Sequence, residues 1–249
     1  MAHWKLSRKL VQFEKSLLDY SLTNSSGLNP TLIPSYSGVY MDGNLYGQKS
    51  ETILIFSSYN KNFAREVIDA IKPELSAAEV HSVYPRFEPA NIAKHKAAVM
   101  LPHSVMSYMT TELYALGMPL FVPSMKYWKK IGGIGEDRTI VGSPYGCGDT
   151  REFELTIANL TESSIHPYSP NVDFGIDQEA EMYWLQLADF FHWPHVQYFN
   201  DLNDLKYKLQ QTNFDQVHNR MREEMRIKEQ ILESGLCKVV EQLHRKIFL

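Results

Sequence analysis

Residues 97–123, AAVMLPHSVMSYMTTELYALGMPLFVP, carry the reading on which the fold turns. Residues 97–101 are a short apolar run, Pro102-His103-Ser104 is a turn, and 104–116 has the spacing of a helix. PLFVP (119–123) is a second apolar run after Gly117. Strand, turn, helix and strand in that order form one unit of a parallel sheet, because parallel neighbours need a crossover long enough to hold a helix.

The same alternation extends outward. ETILIFSS (51–58) is β-rich, NFAREVIDAIK (62–72) has helical spacing, and AEVHSVYP (78–85) reads as a strand before a short helix over 89–95. Downstream, 179–193 reads as a helix, HVQYF (195–199) as a last strand, and 201–210 as a helix capped by Asp201. The tail from Phe214 to Ile247 has an amphipathic stripe, with a break expected at Ser234-Gly235. Residues 4–22 have the pattern of an apolar-faced helix, and the Ser-, Asn-, Gly- and Pro-rich stretch 23–50 reads as a linker. Residues 131–176 are turn-rich. The expected fold class is α/β: a three-layer, Rossmann-like parallel sheet with additional N- and C-terminal helices. Its parts are a helix and linker over 1–50, a sheet domain over 51–212 and a helical extension over 213–249.

Composition narrows the function classes. The 249 residues are 44% hydrophobic and 22% charged with a formal net charge of −4, and no basic block marks a nucleic-acid footprint. No run approaches the roughly 18 apolar residues that a membrane helix needs. The N-terminus lacks an apolar signal-peptide core, so the chain reads as cytoplasmic, or as Golgi or endoplasmic reticulum if an anchor precedes it. Cys147 and Cys237 form no zinc spacing. His192 and His195 flank Pro194, which breaks a helix and separates their faces, and no D-x-D or phosphate-loop motif is present, so no metal is expected. Lys126, Lys129 and Lys130 read as a solvated helix face, and Phe190, Phe191 and Trp193 as core.

Open parallel sheets bind ligands beyond the carboxyl ends of their strands. The helix expected to open near Ser104 would offer free N–H groups and the positive end of its dipole to an anion. Ser104 and Ser107 add hydroxyls, and His103 a group that titrates near neutrality. Ser104, Tyr108, Thr111 and Glu112 are linked by steps of three or four residues along one side of that helix, where the Glu112 carboxylate could hold the vicinal hydroxyls of a ribose. Ser57 and Ser58 follow the strand 51–56 and could meet a phosphate.

Pro102, Ser104, Ser107, Glu112, Gly117 and Pro119 together form the pattern P-x-S-x-x-S-x-x-x-x-E-x-x-x-x-G-x-P before an apolar strand. This pattern resembles the donor-binding half of GT-B glycosyltransferases, over roughly residues 51–212. The resemblance implies a UDP- or GDP-linked sugar as substrate, no separate cofactor, and metal-independent transfer. It also implies that Glu112 meets the ribose, that Ser57, Ser58, His103, Ser104, Ser107 and Thr111 line the donor site, and that His103 acts at the leaving diphosphate. The turn Ser57-Ser58-Tyr59-Asn60 lacks the glycines found there in many such halves. Residues 1–50 are too few for the family's first domain, so an acceptor-binding domain or subunit is the expected partner. The alternatives are a non-catalytic nucleotide-sugar-binding or partner module and a sugar-nucleotide epimerase.

Overall fold

Three four-residue strands are buried along their whole length: Ile53–Phe56 (β1), Ala97–Met100 (β3) and Leu120–Pro123 (β4). A strand written ILIF or LFVP, with no polar alternation, requires apolar cover on both faces, the signature of a parallel sheet between helical layers. The computed structural model describes residues 46–57, 61–101, 108–131, 186 and 188–248. In it, these strands join Ala77–Glu79 (β2) and Gln197–Phe199 (β5) in a five-stranded sheet of order β2-β1-β3-β4-β5. Every pairing is parallel. The helices are Lys61–Ile71 (α1), Val80–Val83 (α2), Pro89–Ile92 (α3), Tyr108–Ala115 (α4), Met125–Lys130 (α5), Leu202–Gln211 (α6) and Phe214–Phe248 (α7).

The strand order fixes the layers. From β1 the chain crosses by α1 to β2 on one side, and from β3 by α4 to β4 on the other. Right-handed crossovers running in opposite directions put α1 and α4 on opposite faces. On the first face, α1 buries Phe63, Ala64, Val67 and Ile71. There it packs beside α6, which buries Leu205 and Leu209, and Lys206 of α6 forms an ion pair at 2.7 Å with Glu74, just past α1. On the second face, α7 packs against α4 and buries Met221 and Met225. Each fully buried large apolar side chain contributes about 1.5–3 kcal/mol, so the two faces together supply most of the driving force.

Several boundaries differ from the sequence reading. The strand expected over 78–85 stops at Glu79, because Val80–Val83 is a helical turn. Its cause is local: the Glu79 carboxylate accepts from Ser82 N at 2.9 Å, and Ser82 Oγ donates to the Glu79 carbonyl at 2.6 Å. Capping bonds of this kind outcompete the β-branched pattern. The last strand starts at Gln197 rather than at His195, whose φ of 69° lies in the left-handed region, outside strand geometry. Where a helix was expected to reach 193, Asp189–Phe191 is a 3₁₀ turn closed by Phe191 N donating to the Ala188 carbonyl at 2.9 Å. The break expected at Ser234-Gly235 is absent, and α7 runs unbroken. A lone glycine costs a helix only about 1 kcal/mol, too little to interrupt one that is propagating on both sides. The helices expected over 4–22 and most of 179–193 fall outside the described residues, as do the linker 23–45 and the insertion 132–176.

Two details hold the amino edge of the sheet. Tyr46 N donates to the Leu116 carbonyl at 2.9 Å, and its hydroxyl donates to the Lys96 carbonyl at 3.1 Å, so the chain entering the sheet is tied to the residue before β3 and to the residue just past α4. Gly117, at φ 70°, turns the chain out of α4, and a Cβ there would lie 2.5 Å from His218 Nδ1. His218 Nδ1 bonds the Gly117 carbonyl at 2.8 Å, and Arg222 donates to the Ala115 carbonyl at 3.3 Å, so α7 docks on the last carbonyls of α4.

Candidate functional site at the strand reversal

The strand order changes direction between β1 and β3, since β2 lies on one side of β1 and β3–β5 on the other. Crossovers leave those two strands toward opposite faces, and in doubly wound sheets ligands bind beyond the carboxyl ends of the strands at such a reversal. The two strands are joined to their ends: Ile53 to Phe56 pair with Ala97 to Met100, and Leu101 N donates to the Phe56 carbonyl at 2.8 Å. Ser57 follows directly and is buried. Thr111 and Glu112 lie on α4, the helix that leaves β3. Ser58, His103, Ser104 and Ser107 lie outside the described residues.

Burial sorts the α4 candidates. Between 109 and 116 only Met109 and Glu112 are not buried. Thr111 is 7% exposed and therefore sits inside the layer, whereas Glu112 is on the partly open side. Grouping the two on one helix side, as the three- and four-residue steps suggest, mixes an enclosed hydroxyl with a more accessible carboxylate. The sequence reading passed over Thr110, which is 1% exposed and whose hydroxyl donates to Met100 Sδ at 3.2 Å. That bond pins the start of α4 to the last residue of β3, so Thr110 positions the helix that carries Glu112.

The outer half of the same edge is organised differently. Ser124, after β4, accepts from Tyr127 N at 3.2 Å as the cap of α5, and its hydroxyl donates to Asn200 Oδ1 at 2.9 Å. Asn200 N and Nδ2 donate to Asp204 Oδ2 at 2.8 and 3.1 Å, and Asp204 N donates to Asp201 Oδ1 at 2.8 Å, the cap of α6. Lys208 completes the chain at 3.0 Å from Asp204 Oδ2 and also donates to the Tyr198 carbonyl. Bonds from the Asn200 backbone and side chain and from Lys208 hold the Asp204 carboxyl below the usual carboxylate range, against the opposing effect of its desolvation. Lys126, Lys129 and Lys130 of α5 are exposed, as expected of a solvated helix face.

A buried polar cluster lies behind α4. Lys228 of α7 is 5% exposed, with Nζ 4.1 Å from the Trp193 ring centroid and 5.4 Å from that of Tyr114. Those rings are 4.7 Å apart, and the Tyr114 hydroxyl donates to the Pro194 carbonyl at 3.0 Å. Burial pushes the Tyr114 phenol far up, and Glu224, also buried one turn before Lys228, raises it further. A desolvated cation over aromatic faces is worth about 2 kcal/mol, so the arrangement fastens the segment leading into β5 to α7 and α4. Phe190 and Trp193 are core residues, as their sequence context suggests. His192 is exposed and Nε2 bonds the Gln186 carbonyl at 2.7 Å. Among the described residues, no three His, Cys, Asp or Glu side chains gather as metal ligands. No helix among them is long and apolar enough to cross a membrane.

The chain is thus an α/β protein with a doubly wound, all-parallel sheet. No family model, curated protein or solved structure matches it.

Proposed function

We propose that this chain is the donor-binding half of a metal-independent, GT-B-type glycosyltransferase and that it binds a UDP- or GDP-linked sugar. The observation that carries the proposal is the reversal of strand order between β1 and β3, with Ser57 ending one strand and the helix of Glu112 leaving the other. In this reading the ligand lies across the crevice between them. The Glu112 carboxylate accepts from the two ribose hydroxyls, and Ser57, Ser58, Ser104, Ser107 and the local N–H groups receive the diphosphate. Thr111, enclosed like Ser57, completes the lining of the donor site beside Glu112. His103 neutralises charge developing on the leaving diphosphate, an electrostatic task that an imidazolium performs well in a site closed to water. The general base comes from an acceptor-binding domain or subunit.

Isothermal titration of the whole chain with UDP, GDP and their sugars tests the proposal. Saturable binding of one nucleotide class is expected, and no heat up to millimolar ligand would overturn it. Conversion of the donor to an epimeric sugar, with no acceptor present, would instead favour an epimerase.

A further inference from the structure

We draw no further inference here: the strongest candidate, the apolar stripe of exposed Leu236 and Val240 on the distal half of α7, continues the helix face that buries Met221 and Met225, but nothing in the structure shows what covers it.

Discussion

At the amino edge of the sheet, groups from distant parts of the sequence lock onto backbone carbonyls: the Tyr46 N–H onto Leu116 and its hydroxyl onto Lys96, the His218 ring onto Gly117, and the Arg222 side chain onto Ala115. At the carboxyl edge, apart from the Ser124–Asn200 bond that ties β4 to β5, the capping side-chain bonds join residues three or four apart, and they concentrate beyond β4 and β5, where Ser124, Asn200, Asp201 and Asp204 satisfy one another. The ends of β1 and β3 have a buried serine and a helix whose half-buried residues include a glutamate. Under the proposed function, the amino edge serves stability and the carboxyl edge ligand binding. Among the described residues of the carboxyl edge, the cap network lies beyond β4 and β5 and not at the strand reversal.

Substitutions that act at only one edge break or sharpen this contrast. The largest effect is expected from Gly117→Ala. Its new Cβ meets the His218 ring, and alanine at φ 70° is strained. Overpacking and strain together cost about 3 kcal/mol, read as a lower urea midpoint, with nucleotide affinity retained at temperatures where the fold persists. Unchanged stability would mean that α7 is not held through this contact. Glu112→Ala should do the reverse: at least about a tenfold loss of nucleotide affinity, about 1.4 kcal/mol, with less than about 1 kcal/mol lost from the fold. Equal affinity in the variant and the parent would remove Glu112 from the ribose.

Much of this layout can be read from residues alone, and the failures have physical causes. The apolar runs at 53–56, 97–100 and 120–123 show a parallel sheet because their burial is complete and local polarity does not interfere. Val80–Val83 misleads because β-branched residues signal a strand, while the deciding bond belongs to Glu79 and Ser82. Thr110 is invisible as a positioning residue because its partner, the Met100 sulfur, is identified only once strand and helix are packed. Lys228 falls three residues after Met225 and four before Leu232, on the apolar stripe of α7. A lysine there reads as an interruption, and the Trp193 and Tyr114 rings that its ammonium faces are apparent only in the packed fold. Strand order is not written in any one segment, so the candidates after 51–56 and after 97–101 could be named from the residues, but not that these two strands are neighbours at the reversal.

The cap network beyond β4 and β5 gives a smaller effect of a different kind. Asp201→Ala and Ser124→Ala each remove a helix cap and should cost about 1 kcal/mol, a fall of roughly 2–4 °C in Tm for a chain of this size. The two caps are linked through Asn200 and Asp204, so the double variant should depart from additivity by more than about 0.5 kcal/mol. Strict additivity would show two independent caps and no network. Nucleotide affinity should be unchanged in all three variants, because the reversal lies at β1 and β3, and a large loss there would move the site outward along the edge.

The smallest effect returns to the amino edge and is seen only as a function of pH. His95, just before β3, is 6% exposed, and its Nε2 lies 2.9 Å from the Tyr84 hydroxyl. Burial lowers its pKa from the usual 6.5, with a smaller lowering from Lys94 and an opposing contribution from the Thr52 backbone. The unfolded chain therefore takes up the proton more readily than the folded one. The His95 contribution is fully present above about pH 6.5 and is lost as pH falls below that value toward the lowered folded pKa. Other groups titrate over the same range, so the difference between parent and His95→Gln isolates this one. Thermal unfolding between pH 7.5 and 5 should show a shallower acid decline in the variant, which starts from a lower Tm because the ring no longer fills its place beside Tyr84. Parallel declines would mean that the folded protein accommodates the imidazolium as well as water does, and the amino edge would then be more open than its burial indicates.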